Sequence, residues 1–375
     1  MKYRSFMLLL VAVVFLAGCG TKEATEDAKK ADEVVNQQVE DYTDLSQQEL
    51  EVMAYDGDVD AQIELANRYD YGTAEAGRDF EKAKQWYELA ASSGSGEAMC
   101  ALGYFHLNGL ATDVDMEQAA SYFQQAIDVG NDHGYVGLGR TYLAGYGEEE
   151  TRGEQAYLNI KTAYDKELPG GIYYLAYLTE LGIGTEENDQ EAMTLYRQVT
   201  ELEELSLYDG YLPDAAWTRL GLMYVDAKGI EQDYEEAMAC FEHAANDGYA
   251  MAQYYLGQMY ENGLGMDQNY EEAFSWYVKA ADQDYAPALN QIGYLYYNGY
   301  GVENDIDQAI YYQKLAAMQG YSIAQINLGY LFENGIGVEQ NYGTALAYYQ
   351  LAADQNNEGA REAVARVLKR MNEEK

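Results

Sequence analysis

Small and apolar positions recur along this chain in two alternating helical patterns with a period near 36 residues. Residues 252–265 (AQYYLGQMYENGLG) and 324–337 (AQINLGYLFENGIG) share Ala, Gln, Leu-Gly, Glu-Asn-Gly and a final Gly at identical offsets. One small-residue column runs Ala66, Gly103, Gly139, Ala176, Gly221, Gly257, Gly293 and Gly329, in steps of 36 or 37 with one of 45. Five positions earlier lie Ala61, Ala98, Gly134, Gly171, Ala216, Ala252, Ala288 and Ala324. Three positions later the column is mostly aromatic: Tyr69, His106, Tyr142, Thr179, Tyr224, Tyr260, Tyr296 and Phe332. These offsets share one helical face, where small residues admit a second helix and the ring fills the next turn.

Six positions after the small column, Gly72, Gly109, Gly145, Gly182, Gly263, Gly299 and Gly335 end the helix, with Ala227 in the remaining unit. An acidic or polar turn follows, then a second helix with its own columns. These are Ala83, Ala119, Ala156, Ala192, Ala237, Ala273, Ala309 and Ala345, and, seven residues on, Ala90, Ala126, Ala163, Val199, Ala244, Ala280, Ala316 and Ala352. Trp86, Tyr122, Asn159, Leu195, Cys240, Trp276, Tyr312 and Tyr348 are expected to fill the space between. Eight helix-turn-helix units therefore run from about Gly57 to Asn356, and none can bury its apolar face without its neighbours.

The string Ala-x-x-x-Leu-Gly-x-x-Tyr-x-x-Gly-x-Gly followed by Ala-x-x-Trp-Tyr-x-x-Ala-Ala, clearest over 252–281, resembles the Sel1-like repeats, relatives of the tetratricopeptide repeats. The resemblance spans roughly four-fifths of the chain. It implies an all-α fold, a right-handed α-solenoid of about eight repeats, with the first helix of each unit lining a concave groove. Terminal capping helices are expected at about 48–55 and 358–371. Unit three departs from the pattern with Glu148-Glu149-Glu150 in its turn, and the step of 45 places about nine extra residues near 202–213. That insert is either a tolerated loop or a recognition element.

Ahead of the repeats, Met1-Lys-Tyr-Arg and an apolar run from Phe6 to Leu16 form a secretory leader. Leu16-Ala17-Gly18-Cys19 resembles the bacterial lipobox, which implies cleavage before Cys19 and lipid attachment there. The expected organisation is a leader over 1–18, a polar tether over 19–43 and the solenoid over 44–375. It places the protein outside the cytoplasm on a membrane, facing the periplasm from an outer membrane or lying on the outer face of a single one. Cys100 and Cys240 are expected as buried, unpaired thiols.

Charge narrows the partner. The chain carries 23 basic and 64 acidic residues; removing 1–18 takes Lys2 and Arg4, leaving 21 against 64, a net of −43. Such a field opposes nucleic acid, whose binding rests on neutralising phosphates, and opposes flat docking on anionic lipid. It suits a basic protein or peptide partner, or simply keeps a surface with 39 tyrosines soluble. One residue after the small column stand Tyr104, Tyr177, Tyr294 and Tyr330, with Arg140 in unit three. On a groove these would give contact area at low entropic cost. Gln253, Asn290 and Gln325, early in first helices, would either bond a ligand backbone or pack between repeats. No catalytic residue, metal site or cofactor is expected. His106, His133 and His243 show no metal-ligand spacing, and the acidic turns at 113–117 and 303–307 lack the calcium-loop order. The expected function is a membrane-anchored scaffold that binds protein or peptide in its groove. An enzyme or accessory factor acting on cell-wall glycans, or a structural lipoprotein without a ligand, are the alternatives.

Overall fold

The computed structural model describes residues 42–73, 77–203, 205 and 209–373. Cys19, the leader and nearly all of the tether lie outside the described residues. Among the described residues there are eighteen α-helices, a short 3-10 turn at Tyr42–Asp44 and no strand. The chain forms two compact units, one ending at Val114 and the other starting at Asp115.

The first unit contains α1 (Gln47–Tyr55), α2 (Val59–Tyr71), α3 (Phe80–Ser92) and α4 (Gly96–Asn108), each packed on the next. Helix α1 opens on a capping box, in which Ser46 and Glu49 bond each other's backbone N–H groups. The second unit runs α5 (Met116–Asp128), α6 (His133–Ala144), α7 (Arg152–Asp165), α8 (Pro169–Leu181), α9 (Asp189–Thr200) and α10 (Leu212–Asp226). It continues with α11 (Tyr234–Asn246), α12 (Ala250–Asn262), α13 (Tyr270–Ala281), α14 (Ala286–Asn298) and α15 (Ile306–Met318), and closes with α16 (Ser322–Asn334), α17 (Tyr342–Asp354) and α18 (Glu358–Glu373).

Local chemistry sets the helix ends. Second helices open on Asp115, Asn188, Asp233, Asn269, Asp305 or Asn341, whose side-chain oxygens accept backbone N–H groups of the first turn. Such a cap contributes about 1 kcal/mol. It also gives Asp115 and Asp305, in the acidic turns, a structural role. Six first helices end in the left-handed conformation, as at Gly335, whose N–H bonds the Leu331 carbonyl. Two residues after such an end, Gly301 lies against the start of α13. A Cβ there would come within 2.4 Å of the Tyr270 carbonyl carbon and oxygen, so only glycine fits.

Both alanine columns of the second helices are fully buried, as is every alanine of the first-helix column five positions before the glycines. The ring column is shifted by one residue from the expected one. The side chains sealed between the helices are Tyr87, Phe123, Ile160, Tyr196, Phe241, Tyr277, Gln313 and Tyr349. Of the residues before them, Trp86, Leu195 and Cys240 are buried as expected, whereas Tyr122, Asn159, Trp276, Tyr312 and Tyr348 are only half-buried. The shift explains the glycine column. A Cβ on Gly221, Gly257 or Gly329 would sit 2.6–2.7 Å from the ring of Phe241, Tyr277 or Tyr349. Cys100 and Cys240 are buried, and burial pushes both thiols up to about 12.

Candidate functional site

In the second unit, first helices touch first helices. Helix α6 meets α8, α8 meets α10, and α10 meets α12, while each second helix packs between the first helices before and after it. The first helices therefore form the inner side of the stack. Phenols two repeats apart sense each other there. Burial first, then the nearby Tyr249, pushes the Tyr173 phenol above its usual range, and burial with Tyr321 does the same to Tyr254.

Tyrosines line this inner side from α8 to α16: Tyr173, Tyr174, Tyr211, Tyr249, Tyr254, Tyr255, Tyr285 and Tyr321. The Tyr174 and Tyr211 hydroxyls lie 3.1 Å apart. Tyr254 meets Tyr285 edge-on with ring centres 5.5 Å apart, and Tyr255 stacks on Phe241 at the same distance. Nearly all are half-buried, and Tyr211 is 38 % exposed. Burial raises the Tyr249 phenol to about 12 and lifts Tyr255, Tyr285 and Tyr321 as well. Their hydroxyls can donate and accept on a water-reachable apolar floor.

Acids buried behind these rings add charge. Glu180, 3 % exposed, accepts from the Tyr196 hydroxyl at 2.9 Å and from Arg219 Nε at 3.0 Å, with Arg219 Nη2 at 2.5 Å and Lys228 Nζ at 3.8 Å. The Arg219 guanidinium also lies over the Tyr177 ring, 5.3 Å from its centre. Glu333, 1 % exposed, accepts from the Tyr349 hydroxyl at 2.8 Å and pairs with Arg366 and Arg370 of α18 at 2.9 and 3.0 Å. Those hydrogen bonds, Arg366 foremost, hold the Glu333 carboxyl below the usual range. Two of the basic residues on the terminal helix are thereby consumed within the fold.

The expected site residues divide. Tyr294 and Tyr330 are 41 % and 49 % exposed. Arg140 lies over the Tyr174 ring at 5.3 Å, and Tyr177 lies half-buried beneath Arg219. Tyr104 belongs to the first unit, on α4, half-buried. Of the two expected roles, Gln253, Asn290 and Gln325 take packing between repeats, being 5 %, 4 % and 3 % exposed. Gln253 and Gln325 donate to the Ala245 and Ala317 carbonyls of the preceding helix and accept from Gln283 and Gln355. Asn290 accepts from Asn327 of the next repeat.

Most of the tyrosine floor was missed by the sequence expectations. Its signal was present: Tyr249, Tyr285 and Tyr321 recur at steps of 36 immediately before their helices. The 202–213 insert contributes Tyr211 to the same floor. One further grouping was invisible to spacing. Asp214, at the start of α10, meets His243 in the last turn of α11 and Asp247, which caps that helix, with ligand atoms within 4.8 Å of one another. This corrects the expectation that no histidine joins carboxylates, because Asp214 arrives only through packing. The donor set suits a divalent transition ion, and His243 also stacks on Trp217 at 4.8 Å.

Known proteins give a consistent picture. The Sel1 repeat model matches residues 59–95, 96–131, 169–202, 216–249, 250–285, 286–321 and 322–357, passing over α6 and α7, the helix pair of the aberrant Glu148-Glu149-Glu150 unit. An uncharacterized protein of Neisseria meningitidis serogroup B is 27 % identical over 245 residues, covering 51 % of this chain and 52 % of its own length. The chain thus spans about half of that curated relative. Among solved structures, a Sel1 repeat protein from Oxalobacter formigenes aligns with a TM-score of 0.51 at 24 % identity, covering 85 % of this chain and 90 % of that one. Yeast Tom70 aligns at 0.50 with 13 % identity, covering 85 % and 61 %. At such identities the likeness concerns the fold. The seven matched repeats, the buried small-residue columns and the all-helical stack establish that this chain is an α-solenoid belonging to the Sel1 repeat family.

Proposed function

We propose that this protein is a membrane-anchored scaffold that binds a protein or peptide along the tyrosine floor of its second unit. Sel1 repeat scaffolds generally mediate protein–protein interaction and are typically non-catalytic. The observation that carries the proposal is the row of mostly half-buried tyrosines on the inner side, from Tyr173 to Tyr321. Rings of limited rotamer freedom beside fixed first helices suit an extended peptide, whose backbone the hydroxyls can bond. The net charge of −41 favours a basic partner. The lipobox at Cys19 supports anchoring outside the cytoplasm, with residues up to about 43 as tether.

The test is crosslinked capture from native envelopes by the wild type and by a Tyr254→Ala/Tyr285→Ala variant of unchanged circular dichroism. A basic protein held by the wild type and lost from the variant supports the groove. Equal capture by both, or recovery of glycan fragments instead, refutes it.

A further inference from the structure

Tyrosine, buried acid and cation recur as a set in the second unit, and one set lacks its cation. The acid stands four residues after the small column, at Glu180, Glu261 and Glu333, and takes a hydroxyl from Tyr196, Tyr277 or Tyr349. At Glu180 the cation is Arg219, two residues before Gly221 of the next repeat. At Glu333 it is Arg366, with Arg370. At Glu261 the residue two before Gly293 is Gln291, whose Nε2 donates to Oε2 at 3.1 Å, the same oxygen that Tyr277 reaches at 2.5 Å. Oε1 takes no hydrogen bond from the described residues, and none of their cations pairs with this carboxylate.

Exposure follows the missing cation. Glu261 is half-buried and reachable, whereas Glu180 and Glu333 are sealed. The Tyr294 phenol is raised by burial first, then by Tyr300 and by the charge of Glu261, and Tyr294 is 41 % exposed. In both filled sets the guanidinium also lies over a tyrosine, Arg219 over Tyr177 at 5.3 Å and Arg366 over Tyr349 at 5.8 Å. A planar fork that bonds a carboxylate and stacks on a ring is arginine's chemistry rather than lysine's.

We infer that Glu261, with Gln291 and Tyr277 on its Oε2, receives an arginine side chain of the protein partner, in the place that Arg219 fills at Glu180. This rests on the groove as a protein-binding surface and specifies one contact on it. The chain's excess of acid draws a basic segment to the site, and the open Oε1 takes the guanidinium as Oε1 of Glu180 takes Arg219.

The experiment titrates N-acetyl-arginine methylamide into the full chain at physiological salt, following the Gln291 side-chain amide and the Tyr294 ring by NMR. The citrulline analogue serves as the neutral isostere. A saturable arginine response is expected, weakened roughly tenfold or more with citrulline and in Glu261→Gln. Gln291→Arg, which supplies the cation in cis as Arg219 does, should remove the Tyr294 response while keeping the helical circular dichroism. No response to arginine, an equal response to citrulline, or a response that survives in Glu261→Gln or Gln291→Arg overturns the assignment. Groove-dependent capture of a partner without the arginine response would sink Glu261 alone. An arginine response without groove-dependent capture would sink the groove alone.

Discussion

Replacing Arg219 with Met isolates what a buried charge costs in this scaffold. Glu180 is 3 % exposed, and Arg219 reaches both of its oxygens, at 3.0 and 2.5 Å. Without Arg219 the carboxylate keeps the Tyr196 hydroxyl and a distant Lys228 at 3.8 Å. Removing one member of a buried pair costs about 3–5 kcal/mol, because the other charge stays desolvated. Glu333 provides the internal control. Arg366→Met leaves Arg370 at 3.0 Å, and the lost side chain was 47 % exposed, so the expected cost is about 1 kcal/mol. Adding Glu180→Gln to Arg219→Met removes the stranded charge while keeping an acceptor for Tyr196, and should restore most of the loss. Urea unfolding followed by circular dichroism measures the totals. Hydrogen exchange in α8 to α10 localises them, since repeat arrays need not unfold as one. A cost below about 1 kcal/mol for Arg219→Met, or a double variant no better than the single, would refute the account.

Further outcomes follow from the same geometry. The Glu333 carboxyl is held low by Arg366, so its contribution is complete above the unfolded glutamate value, near 4.3, and fades as pH falls through the lower folded value; urea midpoints between pH 6 and 3 should show this slope flattened in Arg366→Met. Gly257→Ala sets a methyl 2.6 Å from the Tyr277 ring and should cost about 1–3 kcal/mol despite alanine's helix preference, whereas Gly94→Ala, with open space around it but a left-handed φ of +95°, should lose its energy to backbone strain alone and leave the Tyr277 ring signals unmoved. Cys100 and Cys240, buried with thiols raised to about 12, should react with a disulfide reagent at pH 8 only as the chain unfolds, and a fast native phase for either would contradict their burial.

Periodicity made the scaffold legible because the packing constraint is repeated. Ala252, Ala288 and Ala324 are fully buried at the same register of successive copies, so one steric rule writes the same letter at every step. The ring column was misplaced by one residue because Trp276 and Tyr277 are both aromatic, and only burial separates the half-buried from the sealed ring. The groove was less legible. Gln253 and Gln325 look like displayed amides in a linear chain, yet each bonds a carbonyl eight residues earlier, across a helix turn that only the fold closes. Asp214 and His243 lie 29 positions apart with nothing in their spacing to link them.

The sequence does hold one compositional trace of the inner face, in pairs of columns rather than single ones. Where the sealed second-helix residue is tyrosine (Tyr87, Tyr196, Tyr277 and Tyr349) the first-helix position four after the small column is acidic: Asp70, Glu180, Glu261 and Glu333. Where it is Phe123, Ile160, Phe241 or Gln313, that position is Leu107, Leu143, Val225 or Tyr297. The correlation is what hydrogen bonding demands, since a sealed phenol needs an acceptor and an acid beside a sealed phenyl would have no donor. An acid so placed can take a cation, and the column two residues before the next glycine supplies it as Arg219 in one case and offers Gln291 instead in another. The buried half of the set is thus dictated by satisfaction of polar groups inside the fold. The choice between arginine and glutamine at its rim is free of that demand, and there the repeats can diverge toward a partner without loss of the stack.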